Sequence, residues 1–304
     1  MKRVAWITDD IYLQHDTGAG HPESVERLVS INLKIKTLED KLIEISPRMA
    51  TKGEVNYVHT MEHIDDIEER GRVGLAVDAD TILSKQSYSS ALKAVGAGLV
   101  AIDGIKDDKF ERAFCAVRPP GHHATPTQSM GFCLFNNIAI TAKYAQKQGY
   151  KKVMIIDFDV HHGNGTQDAF YDDDSVFYFS THEAYAYPGT GNWAHKGRDK
   201  GEGYTGNYPL MPESGDKEIL EFYHEDLPKH YHEFQPDIIL VSAGYDLHES
   251  DPLANLNVTT EGIRQIVRAI LDLGDKPVVF MLEGGYSVTD LGWNVVATVE
   301  EMLV

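Results

Sequence analysis

Short apolar runs recur along the chain at Val4–Thr8, Leu42–Ser46, Ala113–Val117, Val153–Asp157, Val176–Ser180, Ile238–Ala243 and Val278–Leu282. Several are continuous rather than alternating, the pattern of strands covered on both faces. Longer segments with helical spacing lie between or after them: Glu23–Leu38, Ser87–Ile105, Asn136–Gln148, Lys217–Phe234, Glu261–Leu273 and Ser287–Leu303. This alternation predicts an α/β fold, a three-layer sandwich with a mainly parallel central sheet and helices on both faces. No repeat, proline-rich linker or low-complexity tract interrupts it. The most flexible-looking loop, Lys196–Gly203, is too short to separate domains, so residues 1–304 read as a single domain.

Composition adds exclusions. The 28 basic and 47 acidic side chains leave a formal net charge of −19. That field repels phosphate backbones and anionic membrane, so neither nucleic acid nor a membrane surface is an expected partner. Two cysteines, Cys115 and Cys133, provide neither a disulfide framework nor a thiolate zinc cluster. No apolar run approaches the roughly 18 residues a membrane helix needs. The opening MKRVAWITDD turns acidic before any signal-type apolar region develops, and a reducing cytoplasm is the expected location.

In an open parallel sheet, ligands bind at the carboxyl ends of the strands. The unusual polar residues fall there repeatedly: Arg118-Pro-Pro-Gly-His122-His123, Asp157-Phe-Asp159-Val-His161-His162-Gly-Asn164, Ser-Ala-Gly244-Tyr-Asp246 and Glu283-Gly-Gly285-Tyr286. One histidine at a strand end is usually structural; four such clusters on one edge point to a site. Asp159 and His161, two apart on extended chain, would face the same side and share an ion with Asp246. Two carboxylates and one imidazole leave a position open for water, as in catalytic zinc. On spacing alone, solvated loop carboxylates remain the alternative for Asp159 and Asp246. Two carboxylates also cancel the charge of Zn²⁺, so its water would need a neighbouring base. His122 and His123 supply candidates, with Asp157 and Asn164 as the groups behind them. A carboxylate behind one ring and a neutral amide behind the other would separate their pKa values, which suits a proton donor and a proton acceptor. Tyr286, after two glycines, would donate its phenol hydrogen bond to a developing oxyanion. The sequence Gly189-Thr-Gly191-Asn-Trp-Ala194 has nucleotide-loop spacing, but no clear strand precedes it, and that reading is rejected. His59, His224 and His248 are expected in core or surface roles.

The strings RPPGHHA (Arg118–Ala124), GFCLFNN (Gly131–Asn137), DFDVHHGNGTQ (Asp157–Gln167), SAGYD (Ser242–Asp246) and LEGGY (Leu282–Tyr286) occur in that order after HPESVERL near the N-terminus. Together they resemble the zinc-dependent histone deacetylase and acetylpolyamine amidohydrolase superfamily, most closely its class II members and their prokaryotic relatives. The resemblance implies the arginase/deacetylase fold and zinc, or iron in its place, on Asp159, His161 and Asp246. It implies a general acid–base pair in His122 and His123 backed by Asp157 and Asn164, and a catalytic Tyr286. It further implies structural potassium at Asp157, Asp159, His161, Ser180 and Thr181, with a second ion at Phe170, Asp173, Val176 and Tyr204. The acyl tunnel would be walled by Phe132 and Tyr187 with Leu253 near its mouth, Gly131 and Gly285 beside them, and Asp80 or Asp78 at the rim.

The implied activity is deacylation of an acylated lysine peptide or a small acylated amine. An acetylpolyamine or other small amide is the alternative substrate, weakened by Leu253 where vertebrate polyamine-selective relatives carry a glutamate. A non-catalytic acyl-ligand binder is disfavoured because Tyr286 and both histidines are present. An arginase-like two-metal centre is disfavoured because Asp-Phe-Asp-Val-His lacks the further carboxylates.

Overall fold

The computed structural model describes residues 2–304. Among them, eight strands form one sheet: β1 (Val4–Ile7), β2 (Leu42–Ile45), β3 (Arg112–Cys115), β4 (Val153–Asp157), β5 (Val176–Glu183), β6 (Thr205–Leu210), β7 (Ile238–Ala243) and β8 (Val278–Leu282). Their order is β2-β1-β3-β8-β7-β4-β5-β6. Every pairing is parallel. The central strands are fully buried because alternate residues feed two cores. Met154, Ile156, Ile239, Val241 and Phe280 enter one apolar cluster, whereas Val153, Ile155, Ile238, Leu240 and Val279 enter the other.

Helices cover both faces, completing the three layers. On one side α1 (Val25–Ile35), α7 (Asp216–Phe234), α8 (Thr260–Leu271) and α9 (Val288–Met302) contribute Ile31, Leu227, Ile263 and Val295. On the other, α4 (Ser87–Lys106) and α5 (Asn137–Gln148) contribute Ala97, Ile102, Ile138 and Ala142. Two shorter helices, α2 (Lys52–Val55) and α3 (Met61–Val73), join α4 around a third cluster with Ile64, Ile67 and Val95. The last, α6 (Asn164–Phe170), begins inside the DFDVHHGNGTQ string.

The seven expected strands are present, with limits shifted by a few residues. Besides the short helices α2, α3 and α6, which had no counterpart among the expected segments, three features depart from the expectation. β6 was not anticipated: TGNYPL has no apolar run, carries a proline and sits on the sheet edge. The first helix stops at Ile35, and a 3₁₀ turn over Lys36–Lys41 replaces its last turn. The loop Lys196–Gly203 is fastened by Gly203 N–H to the Lys196 carbonyl at 2.7 Å and by Arg198 N–H to the Tyr171 carbonyl at 2.8 Å. No helix among the described residues is long and apolar enough to cross a membrane.

Candidate active site

β3, β4, β7 and β8 are neighbours at the centre of the sheet, so the four polar clusters following them meet at one edge. β4 ends at Asp157 and the chain then bends, so Asp159 and His161 do not sit on extended chain as expected. Hydrogen bonds converge them instead. Asp159 Oδ1 accepts from the His161 N–H at 2.9 Å and Oδ2 from the Gly284 N–H at 2.8 Å. Asp246 Oδ1 accepts from the Val160 N–H at 3.0 Å. His161 Nδ1 consequently lies 3.3 Å from Asp159 Oδ1 and 3.1 Å from Asp246 Oδ2. One ligand atom from each of the three lies within 4.8 Å of the others. Gly284 is required beside them, because a Cβ there would stand 2.1 Å from Asp246 Oδ2 and 2.6 Å from Asp159 Oδ2.

Two buried carboxylates this close demand a positive charge between them. Burial and the charge of Asp159 push the Asp246 carboxyl up to about 7. Burial opposes charge on His161, yet its hydrogen bonds to Asp159 and Asp246 raise it to about 11. A proton on the ring meets the demand weakly, whereas a divalent cation meets it directly. Two carboxylates and an imidazole nitrogen are a donor set that zinc or iron accepts, with a position left for water.

Beside the triad, His122 and His123 pack with ring centroids 4.1 Å apart. His122 Nδ1 lies 3.0 Å from Asp157 Oδ2, and His123 Nδ1 lies 2.9 Å from Asn164 Oδ1. Their backing separates them electrically. Burial lowers His122, but Asp159 and Asp157 outweigh it and lift the ring to about 10. Burial and the neighbouring His122 and His161 hold His123 well below the ordinary histidine value. Tyr178 Oη donates to the same Asp157 oxygen at 3.0 Å.

Asp78, Asp80, His123, Gly131, Phe132, His161, Tyr187, Leu253 and Tyr286 line a cleft of about 270 Å³. The tunnel and rim residues expected from the sequence therefore share one cavity, except Gly285. Its carbonyl instead accepts from Arg27 Nε at 2.6 Å, which seats the turn below the cleft. Phe132 meets Tyr286 edge-on at 5.8 Å, and His123 meets Tyr187 edge-on at 5.1 Å. At the rim, Asp78 Oδ1 accepts from the N–H groups of Asp80 and Thr81 at 2.9 and 2.6 Å. His21 Nε2 donates to the Asp80 carbonyl at 2.9 Å.

Of the residues matched to potassium, Asp157 and Ser180 are paired across β4 and β5. The Ser180 hydroxyl is bonded to His182 Nδ1 at 2.9 Å, and Thr181 Oγ1 to Tyr223 Oη at 3.1 Å. Asp173 binds Lys143 Nζ at 2.6 Å, so its carboxylate is engaged. Phe170 and Tyr204 each offer a carbonyl already accepting one N–H, from Asp173 and Tyr178. Val176 opens β5 beside them. These positions are rich in oxygen donors, the ligand type potassium takes.

Several supporting residues escaped the sequence reading. Glu283 accepts from the N–H groups of Gly121 and His122 at 2.6 and 3.1 Å, holding the histidine turn. Burial pushes its carboxyl up to about 7. Arg27 and Arg118, both fully buried, share the Glu23 carboxylate at 2.9 and 2.5 Å. Glu23 and Arg27 belong to HPESVERL, a string that marked the family but suggested no role. Asp251 accepts from the Tyr286 N–H at 2.6 Å. Of the histidines set aside, His59 is buried and His224 exposed, and His248 is bonded to Ser250 Oγ at 2.7 Å.

A three-layer sandwich around an all-parallel sheet, with an acidic and histidine-rich centre at its carboxyl edge, defines the arginase/deacetylase class of fold. The crystal structure of the HDA15 HD domain superposes with a TM-score of 0.95 at 36% identity, covering 99% of this chain and 88% of that one. Residues 21–302 match the model of the histone deacetylase domain. A probable deacetylase of Archaeoglobus fulgidus is 38% identical over 91% of this chain and 79% of its own length. The chloroplastic histone deacetylase 10 of Oryza sativa subsp. japonica is 39% identical over 95% of this chain and 69% of its own. The chain belongs to the histone deacetylase family.

Proposed function

We propose that this chain hydrolyses N-acyl amides, removing acetyl or a related short acyl group from a lysine side chain or a similar amine, with residues 1–304 acting as one catalytic unit. The observation that carries this reading is the Asp159–His161–Asp246 triad, within 4.8 Å, beside the differently backed pair His122 and His123. Zn²⁺, or Fe²⁺ in its place, held by those three side chains would polarise the amide carbonyl and acidify a water.

The chain's own groups divide the remaining work. His123 lines the cleft and is held neutral; with Nδ1–H donating to Asn164, its Nε2 is free to take a proton from the attacking water. His122 does not line the cleft, and Asp159 and Asp157 favour its positive charge, by which the ring stabilises negative charge developing nearby. The Tyr286 hydroxyl donates to the oxyanion as the carbonyl becomes tetrahedral. The amine leaves with the proton returned by His123. Phe132 and Tyr187 flank the acyl-lysine stem and exclude water.

Exposed Asp78 and Asp80 at the rim favour substrates that carry positive charge. An acetyl-lysine peptide and a small acetylated polyamine both satisfy this, and Leu253 at the mouth supplies no further carboxylate for the polyamine. The net charge of −19 argues against nucleic acid as a partner. Structural potassium at the two oxygen-rich positions and a cytoplasmic location belong to the same proposal, the latter supported by two free, buried cysteines.

The test is a kcat/KM comparison on protein loaded with zinc or iron, using an acetyl-lysine peptide and N-acetylputrescine. Turnover of the peptide with the higher kcat/KM is the expected result. Faster turnover of N-acetylputrescine would reassign the substrate, and tight binding of both without hydrolysis would overturn the enzyme reading.

A further inference from the structure

Tyr286 follows a turn with no side chain to steady it, since Gly285 stands at φ +117°. The ring touches Phe132 at 5.8 Å and Arg27, whose guanidinium carbon lies 5.1 Å from its centroid. These ring contacts are not hydrogen bonds; the directional contact of the residue is on its main chain. Asp251 Oδ2 accepts from the Tyr286 N–H at 2.6 Å and from the Ser287 N–H at 3.2 Å. The other oxygen of the same carboxylate accepts from the Leu253 N–H at 3.0 Å. Ser250 and Ser287 repeat the connection outside it, their hydroxyls donating to Asp290 Oδ2 at 2.7 and 2.9 Å. Two segments far apart in sequence are thus stitched along a seam, one bearing Tyr286 and the other bearing Leu253 at the cleft mouth. Asp251 is 8% exposed, so water competes little for its oxygens.

We propose that Asp251 is a positioning residue that sets the Tyr286 hydroxyl over the reacting carbonyl by clamping the main chain at residues 286 and 287. The same clamp ties that hydroxyl to the Leu253 side of the cleft mouth. The inference rests on the role given to Tyr286 above. Asp251 is neither among the residues lining the cleft nor part of the triad, and it acts through the tyrosine.

The substitutions grade the clamp. Asp251→Asn keeps one acceptor oxygen for the Tyr286 and Ser287 N–H groups and turns an amide toward Leu253, whereas Asp251→Ala removes all three bonds. A displacement of about 1 Å at a reacting group costs on the order of 10²-fold. The expected result on an acetyl-lysine peptide is a kcat loss of roughly 10- to 100-fold for Asp251→Ala and a smaller one for Asp251→Asn. In a Tyr286→Phe background the same changes should cost less than about twofold, because no hydroxyl remains to be misplaced. Bound metal, measured by elemental analysis, should be unchanged.

Equal losses in both backgrounds would overturn the proposal, and so would full activity of Asp251→Ala. Damage by Asn equal to that by Ala would also overturn it, by showing that charge rather than the clamp matters. Should Asp251→Ala fail to fold, the Asn variant measured in both backgrounds separates the same two outcomes. Full activity of Tyr286→Phe alone is a separate result, which removes the role of the tyrosine itself.

Discussion

His122 and His123 stand with ring centroids 4.1 Å apart, yet their surroundings give them opposite preferences for a proton. Asp157 lies behind the first and Asn164 behind the second, so a carboxylate and an amide divide two otherwise similar rings. His122, raised to about 10, carries charge across the neutral range, whereas His123, driven well below the usual value, does not. Replacing Asp157 by Asn should lower the His122 pKa, because the carboxylate favours its charged form. The alkaline fall in kcat/KM should therefore move to lower pH, with a loss of roughly 10²-fold at pH 8. A pH–rate profile taken at fixed potassium concentration checks this, and an unmoved alkaline limb would count against the division of roles.

Removal of the Tyr286 hydroxyl tests the oxyanion donor alone. The ring contacts with Phe132 and Arg27 survive in Tyr286→Phe, so packing and metal content should be unchanged. Loss of one such donor costs about 10²–10³ in turnover. The expected outcome is that loss in kcat with little change in KM, and kcat within twofold of the parent would refute the assignment.

Metal dependence follows from the crowding of Asp159 and Asp246. Chelated protein should be inactive, and Zn²⁺ or Fe²⁺ should restore activity. An ion that binds only the folded state stabilises by about 2.7 kcal/mol at a hundredfold excess over its Kd, so Tm should rise with added metal. Asp246→Asn removes one of the two charges that attract the ion. It should abolish the metal-dependent rise in Tm while the chain still unfolds cooperatively, read by calorimetry with and without Zn²⁺. An unchanged rise would place the ion elsewhere.

How much of this was legible beforehand depended on whether residues signalled through spacing. Continuous apolar runs exposed seven strands, and the polar strings following β3, β4, β7 and β8 brought the triad, the histidine pair and Tyr286 into view. β6 stayed hidden because TGNYPL on a sheet edge needs no apolar run. α3 stayed hidden because MEHIDDIEERGRV faces the core with little more than His63, Ile64 and Ile67. The supports of the site were illegible for another reason. Asp251 is one of 47 acidic residues, and only the folded chain brings its carboxylate to the Tyr286 N–H. Glu283 sat in plain view beside Gly284, but its purpose, holding the backbone of Gly121 and His122, is a contact across 162 and 161 positions.

Two buried histidines away from the triad make stability depend on acidity. His59 is lowered from 6.5 to about 3 by burial and by neighbouring His63, and His182 is lowered from 6.5 to about 4 by burial. Both are therefore neutral in the folded chain at pH values where the unfolded chain would bind protons. The sign follows: below about 6.5 the unfolded state takes up more protons at these two residues, so their contribution to stability falls as pH falls. Each group contributes a slope of up to ~1.4 kcal/mol per pH unit, ending near 3 for His59 and near 4 for His182. The slope fades above about 6.5 and is gone by about pH 7.5. Glu283, raised by burial to about 7, contributes with the opposite sign over the same range, so the histidine contribution is read by comparing urea midpoints at pH 7.5, 6.0 and 5.0 between the parent and a variant. His59 Nε2 accepts the Asn136 N–H at 2.8 Å, a bond that a glutamine carbonyl can accept in its place. Relative to the parent, His59→Gln should thus gain stability as pH falls from 6.5 to 5, and a variant with the parent's slope would remove His59 as a source of acid sensitivity.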